Sequence, residues 1–411
     1  MKKEDIPFYN EAVLPYHWLK SVIYGIANGF PAKKLRVIGV TGTNGKTTTC
    51  FMIWKMLNEA GHKTGVMTTV GWGVDTIEQQ IEHMTTVDCK EMNERIKKVV
   101  EAGAEFLVLE TSSHALAQFR DLGIDFEVAV MTNVTHDHLD YHRTFERYRD
   151  AKRKMFKKAH FGVINAEDPA AKLFREDVKS GVTYGIEKGD VQATDVKLKT
   201  GGTEYKIKGT KVKIKTQIAG KFNVYNSLAA ACVGKRLGLT DEQISKGIYA
   251  LDSVEGRMMT IDEGQNFTVL IDFAHTPDAF EKVFDSIRGT VKGKIIAVHG
   301  AAGRRDETTR ATRGEIMGRE ADIVIVTEDD SRDEPVEDIA KMIADGAEKE
   351  GKVLDKDLFI ETNRTKAIEL ACKMAKKGDL VLLLGKGHEK TLIRNSGEVD
   401  YLEEKEARKV L

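Results

Sequence analysis

The stretch from Leu35 to Gly61 constrains this chain more than any other. Residues 35–43, LRVIGVTGT, form a short apolar, β-branched run that gives way to glycine and threonine. Such a run suits a strand buried on both faces of a parallel sheet. The following TTTCFMIWKMLNEAGHK reads as a helix, and Gly61 closes it. Between the two lies Thr41-Gly42-Thr43-Asn44-Gly45-Lys46-Thr47-Thr48. Strand, glycine-rich loop and helix in this order make a phosphate cradle. Glycines let backbone N–H groups face the anion, and the helix N-terminus favours negative charge. Lys46 is spaced to reach β- and γ-phosphates, and the Thr47 hydroxyl suits Mg2+. The general pattern asks for a glycine where Val40 stands; here the first loop glycine is Gly42. Nucleotide-phosphate binding is therefore expected at Gly42–Thr48. The acceptor stays open, because kinases, GTPases and ligases all use this device.

The same strand-then-helix alternation recurs at FLVLE (106–110), FEVAVMTN (126–133) and FGVIN (161–165). It predicts an α/β fold with a mainly parallel sheet. From about 191 to 218 polar and apolar residues alternate instead, with glycine turns, which predicts antiparallel strands with one wet face. A second α/β series starts near 257 with TVLIDFAH, KIIAVHG, ADIVIVTEDD and DLVLLLGKGHE. With 411 residues, two or three domains are expected. The boundaries read as a short helical segment (1–36), a P-loop central domain (37–256) and a Rossmann-like C-terminal α/β domain (257–411). Within 14–30, Trp18, Val22, Ile23 and Ile26 could share a helix face, expected to pack on the first domain. A membrane-surface helix is the sharper reading, but Lys20 is its sole cation.

Charge removes other classes. Lys and Arg number 63 against 64 Asp and Glu, so there is no bulk positive charge to displace counterions and no nucleic-acid partner is expected. The four cysteines are far apart and form no CxxC, which disfavours a disulfide scaffold or zinc ribbon and fits a cytoplasmic location. No apolar run is long enough for a membrane span, and MKKEDIPF lacks the apolar core of a signal peptide.

In open α/β sheets ligands bind beyond the carboxyl ends of strands. Glu110 ends FLVLE, where a carboxylate suits Mg2+ as readily as it suits solvent. The segment Thr135–His142 carries three histidines without zinc-site spacing. One could meet a metal or phosphate, the others lying at the surface. The lysine-rich run 152–158 reads as a solvated helix face.

Taken together, TGTNGKTT (41–48), TT (85–86), ETSSHALAQFR (110–120), TNVTHDHLDYH (132–142), DAK (150–152), NAED (165–168), GKFNVYN (220–226), EGRM (255–258), IDFAHTPDA (271–279), DDSR (329–332) and GKGHE (385–389) resemble the Mur ligases. HTPDA and GKGHE are most similar to the branch that adds the third residue of a muramoyl-peptide. The resemblance implies an ADP-forming ligase of peptidoglycan precursor synthesis. ATP would phosphorylate the carboxylate of a UDP-muramoyl-dipeptide, and the amine of a diamino acid, meso-diaminopimelate or L-lysine, would attack the acyl phosphate. It implies two Mg2+ sites, one at Thr47 and Glu110, another at His138 and Lys152, with Lys152 carbamylated. Lys46, Arg257 and Asp272 would serve the phosphates and ribose, and Asn223 and Asn226 the adenine side. Thr85, Thr86, Ser112, Gln118 and Arg120 would hold the muramoyl-peptide. Arg310, Asp329, Asp330, Ser331, Arg332, Gly385 and Glu389 would form the amino-acid pocket.

Three departures from the family pattern qualify the carry-over. Only about 36 residues precede the first strand, too few for a uridine-binding domain. A partner supplying uridine-end binding, or a lipid-linked muramoyl-peptide as substrate, is the expectation. Met84 stands where asparagine is common before Thr85. The acceptor motif reads Asp329-Asp330-Ser331-Arg332 rather than DNPR, so Arg332 could still meet a distal carboxylate while Asp330 favours a cationic side chain. Two other readings stay open: a folylpolyglutamate-synthetase-like ligase, and the Mur-ligase-like subunit of a lipid II amidotransferase.

Overall fold

A computed structural model describes residues 12–80, 84–199 and 201–411. The chain forms two compact units. The first comprises residues up to Lys197 with Glu204–Thr216 and Phe222–Asp252; the second comprises Leu198–Thr203, Gln217–Lys221 and Ser253–Leu411.

The first sheet has eleven strands. They are β1 (Arg36–Thr41), β2 (Thr64–Met67), β3 (Gly71–Gly73), β4 (Ile77–Gln79), β5 (Phe106–Glu110), β6 (Phe126–Met131), β7 (Ala159–Asn165), β8 (Gly181–Gly185), β9 (Val191–Lys199), β10 (Gly202–Ile207) and β11 (Lys213–Thr216). Their order is β11-β10-β9-β8-β7-β6-β1-β5-β2-β3-β4. β1 lies parallel between β5 and β6, with Val40 opposite Glu110 and Thr41 opposite Met131. Three strands therefore end level with one another, and the loops that follow share one rim. The apolar runs explain the arrangement. Every residue of β5 is buried, and Val37, Leu107, Phe126, Met131, Met155 and Phe156 share one core. In β11, Ile214 and Thr216 face inward while Lys213 and Lys215 face solvent, as the alternation predicts.

The N-terminal helix packs within the first unit, but not through its apolar face. It spans Leu14–Ala27, but its buried residues are Ser21 and Gly25, while Trp18, Ile23 and Ile26 are 48%, 54% and 66% exposed. The small residues go inward because the Phe30 ring lies where a Gly25 Cβ would be, and Lys20 Nζ bonds Asp88 at 2.9 Å.

In the second unit β12 (Met259–Ile261), β13 (Thr268–Asp272), β14 (Ile295–His299), β15 (Ile323–Val326), β16 (Leu358–Ile360) and β17 (Leu380–Leu384) form a sheet ordered β12-β13-β17-β14-β15-β16. The β12–β13 pair is antiparallel, and the β13–β17, β17–β14, β14–β15 and β15–β16 pairs are parallel. Ile271, Val298, Ile325, Leu383 and Ile368 fill one side of it. β18 (Thr391–Arg394) and β19 (Gly397–Asp400) form a separate hairpin. Arg364 and Glu403, both fully enclosed, pair bidentately at 2.6 and 2.8 Å and tie the last helix, Glu403–Val410, to the helix Arg364–Met374. The four cysteines Cys50, Cys89, Cys232 and Cys372 are unpaired and buried. Among the described residues no helix is long and apolar enough to cross a membrane.

Candidate active site

The loop after β1 is fixed on three sides. Gly45 adopts φ +82°, and a Cβ there would lie 2.4 Å from Asn226 Oδ1, so the loop needs glycine to let Asn226 approach. Asn226 and Asn223 sit buried on the helix Lys221–Arg236, and Asn226 Nδ2 donates to Asn223 Oδ1 at 2.8 Å. On another side, Asn44 exchanges hydrogen bonds with Asn133, and Thr132 Oγ1 donates to the Asn44 carbonyl at 2.7 Å. The Thr43 hydroxyl lies 2.9 Å from Tyr148 OH and accepts from Thr135 N at 2.9 Å.

The charged groups meet at this loop. Thr47 Oγ1 lies 3.0 and 3.1 Å from the two oxygens of Glu110, which is 1% exposed and also accepts from Thr69 N. Thr48 is buried behind them. Lys46 Nζ donates to the Thr43 carbonyl at 2.8 Å. Lys152, 1% exposed on the helix Phe145–Phe156, donates to the Gly42 carbonyl at 2.6 Å, with its Nζ 4.5 Å from the centre of the Tyr148 ring. Lys152 is not on a solvated face: Tyr148, Ala151, Lys152, Met155 and Phe156 are the buried side of that helix. Burial, with Lys46 nearby, holds its ammonium well below the usual lysine range.

The histidines separate. His138 is half exposed, adopts φ +52°, and lies 3.5 Å from an Asp137 oxygen. His136 is exposed and stacks on Phe145. His142 is not a surface residue: it is buried and shares a hydrogen bond with Ser113 Oγ at 3.0 Å. Burial and the neighbouring His138 lower His114 to about 3 and His142 to about 4.

Beside Glu110 runs a polar strip. Thr86 Oγ1 donates to the Glu110 carbonyl and accepts from Ser112 N, each at 2.9 Å. Ser112 caps the short helix Ser113–Ala117. Gln118 accepts from Arg120 at 2.6 Å and donates to Tyr141 OH at 3.1 Å, while Arg120 also reaches the Thr86 carbonyl. Thr85 is half-buried next to Thr86. The structure thus brings Lys46, Thr47, Glu110, Lys152 and Asn226 to the loop after β1, with Thr86, Ser112, Gln118 and Arg120 linked beside Glu110.

In the second unit, Asp272 at the end of β13 accepts from Met258 N and Ala274 N at 2.9 and 2.8 Å. Burial pushes its carboxyl up, against the pull of Arg257. The Arg257 guanidinium lies 4.6 Å from the Phe273 ring centre. A second group collects at the ends of β14, β15 and β17. Arg310, 1% exposed, pairs with Glu334 at 2.9 Å, and its buried Nε has no hydrogen-bond partner among the described residues. Ser331 is buried. Arg332, at φ +53°, bonds the Gly303 carbonyl through its side chain and the Ile393 carbonyl through its N–H. Gly385, at φ +109°, faces Asp329 and His299. Lys386 Nζ lies 2.8 Å from Asp330 Oδ1, 2.8 Å from Glu389 Oε2 and 3.6 Å from Asp329 Oδ1.

Sequence reasoning gave no role to Thr132, Asn133, Tyr148 or Lys386. The first two tip β6 as Glu110 tips β5, so the same strand-end logic reaches them. Lys386 lies between two glycines in a strand-end loop, which is signal enough to ask what it touches.

Two protein families match the chain: the Mur ligase middle domain over residues 40–234 and the Mur ligase glutamate ligase domain over 256–387. A UDP-N-acetylmuramoyl-L-alanyl-D-glutamate–2,6-diaminopimelate ligase of Clostridium acetobutylicum is 39% identical over 87% of this chain and 74% of its own. A UDP-N-acetylmuramyl-tripeptide synthetase of Roseiflexus is 38% identical over 93% and 80%. A solved diaminopimelate ligase superposes with a TM-score of 0.66 at 30% identity, covering 92% of this chain and 78% of the other. Folylpolyglutamate synthase of Mycobacterium tuberculosis, at TM-score 0.72 but 16% identity over 89% of this chain and 92% of its own, shares the fold. With both halves matched and relatives of this identity covered over most of their length, the chain belongs to the Mur ligase family.

Proposed function

We propose that the protein is an ATP-dependent, ADP-forming amide ligase that adds a diamino acid to a UDP-muramoyl-dipeptide in peptidoglycan precursor synthesis. The observation that carries this reading is the meeting of Lys46, Thr47, Glu110 and Lys152 at one glycine loop. The reaction begins when a carboxylate oxygen of the dipeptide attacks the γ-phosphorus and ADP leaves. An amine then attacks the acyl carbon and loses a proton. The tetrahedral adduct collapses to an amide and releases phosphate.

Lys46 serves the transferring phosphoryl group. To do so it exchanges the Thr43 carbonyl for phosphate oxygens. The oxygen-only pair of Thr47 and Glu110 fits Mg2+, which when bound offsets phosphate charge. Lys152 and His138 would hold a second such ion. As an ammonium Lys152 offers no lone pair to a metal, but its burial favours the neutral amine, and a carbamate formed there with CO2 would supply oxygen ligands. Asn223 and Asn226 would serve the adenine side. Thr85, Thr86, Ser112, Gln118 and Arg120 hold the muramoyl-peptide. Arg257 and Asp272 serve the phosphates and ribose from the C-terminal domain. Arg310, Asp329–Arg332, Gly385 and Glu389 receive the amino acid, diaminopimelate ahead of lysine. The orphaned Arg310 Nε is a donor that a substrate carboxylate would satisfy. We assign the reaction to the cytoplasm.

Oxygen-18 in the dipeptide carboxylate is expected in released phosphate. Lys46→Ala and Lys152→Ala are each expected to lower turnover at least about a hundredfold, the scale of lost electrostatic stabilisation. Label retained wholly in the peptide product would overturn the acyl-phosphate route.

A further inference from the structure

Three carboxylates converge at the ends of β15 and β17. Oxygens of Asp329, Asp330 and Glu389 lie within 4.8 Å of one another. Such a group could hold a metal ion, but the centre is taken. Lys386 Nζ stands 2.8 Å from both Asp330 and Glu389, and the lysine side chain is fully enclosed. Asp330 is itself held, accepting from Ile393 N at 3.0 Å. Glu389 is the member left partly open, its side chain 24% exposed. The charged groups facing Glu389 are Lys386 from its own loop and Asp329 and Asp330 from the loop after β15. Asp329 is further faced by Arg364 and His299.

We propose that Lys386 is a positioning residue of the amino-acid site, an internal cation that stands where a metal would sit and keeps Glu389 ionised and aimed at the ammonium of the incoming amino acid. This rests on the ligase reading above. The physical need is plain. Three buried carboxylates cannot all stay charged without a cation among them. Burial raises Glu389, Asp329 and Asp330 raise it further, and Lys386 opposes them. A protonated Glu389 would no longer pair with an ammonium.

The two neighbours push in opposite directions, which gives the test its signs. Lys386→Met removes the opposing cation, so the acid limb of kcat/KM for the amino acid moves to higher pH. Asp330→Asn removes one of the acids, so the limb moves lower. Asp330→Asn also keeps a polar partner for Lys386, so it serves if Lys386→Met fails to fold. At neutral pH Lys386→Met is expected to raise the amino-acid KM about tenfold, the scale of one lost hydrogen bond to a charged group. KM for ATP should stay within about twofold, since only the acceptor's charge pairing is altered. Acid limbs unmoved in the variants that fold would overturn the proposal. Wild-type protein that releases no phosphate with ATP, UDP-muramoyl-dipeptide and a diamino acid together would instead overturn the ligase reading, and the inference with it.

Discussion

His299 ends β14 in a place that excludes a charged ring. Burial and the adjacent Arg313, whose Nη1 lies 3.3 Å from His299 Nε2, hold its pKa well below the ordinary value. In the unfolded chain the same ring titrates near pH 6.5. Its neutral state is therefore fully accommodated above that pH. Below it, the unfolded chain binds a proton that the folded protein does not. Stability then falls by at most about 1.4 kcal/mol per pH unit from this group. Urea unfolding at pH 7.5 and 5.5 is expected to show a smaller loss for His299→Gln than for wild type; equal losses would refute the assignment. Legibility at this scale was uneven. Glu110 was half legible: an acid closing an apolar strand suits Mg2+ as readily as solvent, and only the fold shows it buried against Thr47. Lys152 was hidden among like charges, and only the family resemblance picked it out. Its real signature is its place four residues after Tyr148 and three before Met155, on the helix's buried stripe.

Elements position the chemistry through their ends. β1, β5 and β6 finish side by side, so the P-loop, Glu110 and Thr132 follow from one register. Gly45→Ala is expected to lower affinity for a non-hydrolysable ATP analogue at least about tenfold, because the new Cβ meets Asn226 and φ stays left-handed at a cost of about 1–3 kcal/mol. Gly61→Ala is the control. Its φ is +92° but nothing lies within 4 Å of the added carbon, so it should lose stability and keep affinity, as calorimetric titration would show. The long strands were readable from their apolar runs. The three-residue strands β3, β4, β12 and β16 were not, since so short a segment carries no period. The Leu14–Ala27 helix had a readable stripe, but a stripe says only that a face is apolar. Packing through Ser21 and Gly25 is a matter of fit to Phe30, and sequence period does not encode it.

Across the whole molecule, the phosphate loop belongs to the first unit and the Lys386 cluster to the second. Ligand effects can therefore be separated by variant. Mg-ATP at a hundredfold its dissociation constant should stabilise wild type by about 2.7 kcal/mol. Thermal shift is expected to report that gain in Lys386→Met and to lose it in Lys46→Ala; a gain surviving in Lys46→Ala would remove the loop from the nucleotide site. The repeated α/β series made the two sheets legible. No sequence signal marks Leu198–Thr203 and Gln217–Lys221, which group with the second unit although the strands around them belong to the first sheet.

The enclosure of every native thiol has a practical outcome. Maleimide dyes have no exposed sulfur to label on the folded chain, so a fluorophore can be installed without deleting any residue. Ser396, exposed in the turn between β18 and β19, accepts a cysteine by exchange of one atom and becomes a single optical handle.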